Sequence, residues 1–310
     1  MALIRFEACR LPFVGLSTFL LLLIAATASA QNSMEDRFAA LAGLQQGQVG
    51  QTDAEKARVF TREYQRLFRS GAGELQLADL DAAELDFLFR AADMAAFYSG
   101  AAGHVADMTV VLDAMASRRV AADRHYVAMH DAFVGSRMLD QARSLSVQHP
   151  VPGLQDLPDF SGPASVPPGT RTAWTVGGDR RELAREEAGP ARDAHVVVVA
   201  HPLCRYSRNA VAAILEDPTL AAVFKKYASW MTPQDRYLHF DRMQRWNREY
   251  PEAPVRMVYQ RAEWPEIDSW STPTFYFFAH GQLVAKISGW PEEGRVVELL
   301  DASRRAGLVD

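Results

Sequence analysis

The residues best equipped for chemistry lie between His195 and Asn209, which read HVVVVAHPLCRYSRN. Four valines lead into a short loop carrying Cys204, and Ser207 to Leu215 follows with the pattern of a helix. A thiol at the start of a helix meets unpaired backbone N–H groups and the positive end of the helix dipole. Both favour an anion, so the thiol pKa falls and the nucleophilic thiolate is populated. Arg205 and Arg208 add positive charge beside it, and a protonated His201 would do the same. Ser207, three residues on, can donate a hydrogen bond to the thiolate. Cys204 and Ser207 are therefore the catalytic candidates. The competing reading makes Cys204 a small buried apolar residue. His104, His125 and His130 show no metal-ligand spacing and read as surface or internally satisfied histidines. No metal and no cofactor is expected.

Elements on either side must position that sulfur. His195 to Ala200 is a continuous apolar run, the mark of a strand buried on both faces. Thr172–Val176 and Val255–Tyr259 read as further strands, and Thr274–Phe278 and Leu283–Ile287 as a hairpin turning at Ala279–Gln282. Arg180–Glu187, Arg205–Leu215, Leu220–Tyr227, Tyr237–Tyr250 and Glu292–Arg305 read as helices. From residue 171 to 310 the order is that of a layered α/β domain. Residues 31–148 instead read as all helix, in amphipathic segments broken at Gly100, Gly103 and Gly135. Thr52 with Glu55 predicts a capping box at the head of one of them. Between the two regions, residues 149–170 form a linker rich in proline and glycine, which cannot be helical.

Two pieces of the second region carry a family resemblance. One is the buried strand followed by His201-Pro202-Leu203-Cys204-Arg205-Tyr206-Ser207. The other is Ser271-Thr272-Pro273-Thr274-Phe275-Tyr276-Phe277-Phe278, then His280-Gly281 and a strand ending at Gly289. Together they resemble a thioredoxin-like domain. The resemblance implies a cis bond before Pro273, facing Cys204, and a substrate groove formed by Thr272, Pro273, Leu203, Arg205 and Tyr206. The departures matter as much. Ser207 stands where the family has a second cysteine, Leu203 where a tryptophan is common, and Val198 where a buried acid serves that second cysteine. With no second thiol to deprotonate, such an acid would only cost desolvation energy. The helical region is loosely similar to tetratricopeptide-type hairpins, without a clean repeat period.

Composition narrows the setting. The chain has 310 residues and a formal net charge of −5, which argues against a nucleic-acid surface. Residues 1–30 hold a basic start at Arg5 and Arg10, an apolar run over Leu11–Ala26 and small residues at Ala28-Ser29-Ala30. That is the pattern of a signal peptide, with an uncleaved anchor as the alternative. Cleavage would take Cys9 away and leave Cys204 alone, and an unpaired cysteine in an exported chain suggests a reactive thiol. The expectation is an exported protein, periplasmic if the source is bacterial, with no stable membrane span after cleavage. One cysteine can form a mixed disulfide but cannot resolve it, so a thiol from elsewhere must complete exchange.

The expected partners are protein thiols and disulfides of the cell envelope, with further docking on the helical region. A non-catalytic thioredoxin-fold scaffold is the alternative. A one-cysteine peroxidase ranks behind both, because His201 occupies the position where that chemistry needs a threonine or serine. Between Glu216 and Pro254 the chain exceeds the basic fold, and it reads as extra helices covering the sheet. Trp270 and Trp290 are left between lining the cleft and packing in the core.

Overall fold

The computed structural model describes residues 33–48, 50–69, 75–177, 180–189 and 192–309. The signal-peptide reading of residues 1–30 lies outside them. Among the described residues, no helix is long and apolar enough to cross a membrane.

The first half is helical: α1 (Met34–Gly43), α2 (Asp53–Phe68), α3 (Ala82–Ser99), α4 (Ala102–Ser117), α5 (Asp123–Gly135) and α6 (Leu139–Gln148). The capping box forms at Thr52, whose backbone N–H and hydroxyl donate to Glu55 while Glu55 N donates back to the hydroxyl. Helix α3 is the hub and touches α1, α2, α4 and α5. Its buried Ala91, Ala92, Ala95 and Ala96 let those neighbours approach closely. One polar network crosses this core: Tyr64 and Arg69 of the α2 end both donate to the carboxylate of Asp107 on α4, at 2.9 and 2.6 Å. The three histidines that read as surface or satisfied are all buried. His125 is held at both ring nitrogens, by Ala122 N and Asp86, whereas neither ring nitrogen of His130 has a hydrogen-bond partner.

The second half is a mixed α/β sheet of eight strands in the order β1-β3-β2-β6-β5-β4-β7-β8. These are β1 (Asp159–Ser161), β2 (Thr172–Val176), β3 (Glu182–Glu187), β4 (His195–Val199), β5 (Ala228–Thr232), β6 (Val255–Val258), β7 (Thr274–Ala279) and β8 (Gln282–Ser288). Strand β4 runs parallel to β5 and antiparallel to β7, and β7 turns back into β8. The valine run is explained by this central place. Val196 and Val198 enter the larger core and Val197 and Val199 the smaller one on the opposite face. Helices α7 (Arg205–Glu216), α8 (Pro218–Tyr227), α9 (Phe240–Glu249) and α10 (Val296–Arg305) complete the layers. Helix α8 packs on β4 and β5, α10 on β8, and α9 on β6 and β2.

Two local expectations are overturned. Residues 182–187 are a strand, not a helix, because pairing with β2 overrides the helix propensity of ELAREE. In that strand Arg185 points inward, pairs with Glu263 at 3.0 Å and lies over the Tyr259 ring. The segment between Glu216 and Pro254 holds not only helices but β5, an interior strand that follows α8 without a break. The proline-rich stretch also contributes a strand: β1 pairs parallel with β3, and Phe160 stacks on Trp174. Gly162 follows at φ 99°, where a Cβ would collide with the carbonyl of Arg185.

The helical and α/β halves are joined through Arg137, which lies in the turn between α5 and α6. Its guanidinium donates to the carbonyls of Tyr259, Val258, Val134 and Asp235 at 2.7–3.2 Å and lies 4.2 Å over Trp174. Burial pulls its pKa down to about 9, which leaves it a cation at neutral pH. Replacing Arg137 with methionine keeps volume and strands those carbonyls. We expect a loss of about 3 kcal/mol in denaturant unfolding, since charged hydrogen bonds are worth that order and the orphaned acceptors remain buried. Arg137→Lys should lose most of it too, because an ammonium cannot present a planar fork.

Candidate functional site

Cys204 is the N-cap residue of α7, with extended backbone at φ −78°, ψ 115°. The chain leaves β4 at Val199, turns through 201–204 and enters the helix. The turn is closed by Cys204 N on the carbonyl of His201 at 2.9 Å, and Arg208 donates to the carbonyl of Pro202 at 2.8 Å. Ser207 is fully buried one turn into the helix, and its hydroxyl accepts from His201 N at 3.2 Å. The sulfur itself is half-buried.

The loop before β7 supplies the opposite wall. Cys204 Sγ lies 3.4 Å from the carbonyl oxygen of Thr272, and the Thr272–Pro273 peptide is cis. Pro273 is buried. Leu203 and Tyr206 are among the most exposed large apolar side chains described, and Arg205 folds over the Tyr206 ring with its guanidinium 3.2 Å from the hydroxyl. Of the expected site residues, Thr272 therefore touches the sulfur, Ser207 sits beneath it, Leu203, Arg205 and Tyr206 form the outer rim, and Pro273 backs the loop. Trp290 packs in the core against Phe275. Trp270 is nearly buried but reaches the wall of a neighbouring cleft.

The electrostatics of the sulfur are a contest. Burial pushes the Cys204 thiol up. The nearby Thr272 and Ser207 hydroxyls and the N–H groups of Ser207 and Tyr206 at the helix start favour the anion and prevail, so the thiol lies below its usual value, although the sulfur accepts no cap bond in this geometry. The S–H contact to the Thr272 carbonyl belongs to the protonated form. The helix-start amides serve the anion.

Both loops around the sulfur are gripped by the helical half. At the head of α2, Asp53 N donates to the carbonyl of Asp268 at 3.0 Å, and the Asp53 carboxylate accepts from Trp270 N at 3.0 Å. On the other side Gln234 donates to the carbonyl of Gly135 at 2.7 Å, and Arg236 pairs with Asp93 of α3. Between these contacts runs a cleft of about 890 Å³, lined by Phe97, Arg236, Arg261, Trp264, Trp270 and Ser271 among others. Its Ser271 end adjoins the Thr272 loop.

A group that the sequence reading missed lies behind the cysteine turn. Asp235 Oδ2 is 3.6 Å from His201 Nε2 and 3.9 Å from His239 Nε2. Burial pushes the Asp235 carboxyl up, but the facing His201 ring, the hydrogen bond from Arg236 N and the charge of the nearby imidazoles hold it below its usual value. Burial pushes His239 down, which keeps it neutral at neutral pH. Two imidazoles and a carboxylate within 4.8 Å are the right donors for a divalent metal. One bond opposes it: Leu203 N donates to His201 Nδ1 at 3.1 Å, so the ring proton sits on Nε2, where the metal would have to bind. The four-residue spacing of Asp235 and His239 was visible, but nothing in the sequence links it to His201.

The chain matches no protein-family model, no curated protein and no solved structure.

These contacts predict how Cys204 responds to pH. Its alkylation by iodoacetamide should inflect below the free-thiol value of about 8.5. Ser207→Ala should move the inflection upward. Because folding lowers this pKa, the stabilisation is present above the unfolded value and is lost as pH falls through the folded one. An inflection at or above the free-thiol value in the native protein would contradict the assignment.

Proposed function

We propose that this protein is a thiol–disulfide exchange protein of thioredoxin type that works with a single cysteine. The observation that carries the proposal is the setting of Cys204: a half-buried sulfur at a helix N-cap, against the Thr272 carbonyl, with Ser207 where a second thiol would stand. The strand arrangement is compatible with the fold, since β4 leads into the cysteine turn and lies between a parallel β5 and an antiparallel β7–β8 hairpin.

In the first step the Cys204 thiolate attacks one sulfur of a substrate disulfide. The Cys204–substrate S–S bond forms, the substrate S–S bond breaks, and the departing thiolate takes a proton from water. In the second step a thiol of the substrate or of a third molecule, as its thiolate, attacks the substrate sulfur of the mixed disulfide. A new disulfide forms and Cys204 is regenerated. One disulfide is broken and one is formed in each cycle, so the reaction is exchange or isomerisation and the number of disulfides does not change. Leu203 and Tyr206 at the rim suit protein substrates of the cell envelope, and the helical half offers a second docking surface. Export rests on the pattern at residues 1–30.

Trapping tests the proposal. The native protein should form reductant-sensitive adducts with a peptide disulfide, and Cys204→Ala should form none. A Cys204→Ala variant that keeps every partner and every activity of the parent would instead favour a scaffold without covalent chemistry.

A further inference from the structure

We propose that His201 and Asp235 form a positioning pair that holds the cysteine turn, with Asp235 selecting the imidazole tautomer that His201 needs. The inference deepens the thiol chemistry proposed above and rests on it.

His201 closes the turn at three of its own polar groups. Its carbonyl accepts from Cys204 N at 2.9 Å, its N–H donates to the Ser207 hydroxyl at 3.2 Å, and its ring Nδ1 accepts from Leu203 N at 3.1 Å. Only the last depends on protonation. A ring nitrogen that accepts a backbone N–H carries no proton of its own, so the proton of the neutral ring must be on Nε2. In solution the two tautomers interconvert freely, and something must hold the required one.

Asp235 is placed to do this. Its Oδ2 faces Nε2 of His201 at 3.6 Å. Its other oxygen is tied down, accepting from Arg236 N at 2.7 Å and from Tyr237 N at 3.5 Å, so the carboxylate is aimed by its own loop. The chain of contacts then runs from carboxylate to imidazole to the amide one residue before the sulfur. The loop that carries Asp235 is in turn held by the helical half, through Gln234 on Gly135 and Arg137 on the Asp235 carbonyl.

The other group against this pair is His239, edge-on to His201 at 5.1 Å and itself beside Tyr237. It approaches the same Asp235 oxygen at 3.9 Å. Arg208 is engaged with Pro202 on the cysteine side. A metal on His201 Nε2 would force the proton to Nδ1, against the Leu203 amide. Metal binding and the positioning role are therefore mutually exclusive.

Without Asp235 the Nδ1–H tautomer becomes competitive, Leu203 N loses its acceptor, and the turn that aims the first amides of α7 loosens. The thiolate then loses part of its hydrogen bonding. The test uses the full chain, with ring-nitrogen NMR to read the tautomer and alkylation against pH to read the sulfur. In the native protein His201 should show Nε2 protonated and Nδ1 accepting. In Asp235→Asn, melting like the native protein, the ring should move toward the other tautomer. Cys204 should then react at least about threefold more slowly with iodoacetamide at pH 7, because less thiolate is present.

A native His201 protonated on Nδ1 overturns the proposal whatever the variant does. So does an Asp235→Asn protein whose tautomer or Cys204 profile is unchanged. Stoichiometric zinc should leave the His201 and His239 ring signals in place, and a shift of both would make the cluster a metal site and overturn the pair. A native Cys204 that titrates as an ordinary thiol sinks the exchange chemistry, whereas the tautomer spectrum still reads the pair on its own.

Discussion

A single guanidinium orders this molecule. Arg137 comes from a turn between two helices and ends among four carbonyls, two of them on the last residues of β6 and its exit. A buried cation without a carboxylate partner is costly unless its donors are all engaged. Here backbone oxygens and the face of Trp174 do that work. The arrangement demands that helices and sheet be docked in one register. If they slip, a charge is left dry and several carbonyls lose their donor.

The consequence for the site is indirect but strong. The cysteine turn is short and belongs wholly to the sheet. The loops facing it do not: one is tied to Asp53 at the start of α2, the other to Gly135, Asp93 and Arg137. The loops that face the cysteine turn are thus held in place by the helical half. Desolvation works against the thiolate, and only amides and hydroxyls held in place can outweigh it. The contacts that hold the surrounding loops therefore bear on the pKa of the thiol as well as on the fold.

Much of this was legible residue by residue, and the limits have physical causes. The valines of β4 announced a strand covered on both faces, and Thr52 with Glu55 announced a helix start, because both signals are local. The turn carrying Cys204 and the loop carrying Thr272 were each recognisable, and the structure brings them within 3.4 Å. Strand β3 was misread because its helix-favouring residues are overruled by pairing with β2, and Arg185 faces inward only because Glu263 meets it there. Strand β5 was missed because no turn residue separates it from α8. Asp235 and His201 lie far apart in the chain, and no periodicity connects them.

The stretch between the halves shapes what the molecule can reach. Residues 159–161 are zipped onto β3, Arg143 of α6 holds the carbonyl of Pro158, and Phe160 is wedged against Trp174. A tether so fastened has no slack to pay out. The spacing of α6, the last helix of the first half, from the sheet is therefore set by these contacts and not by the length of a free linker.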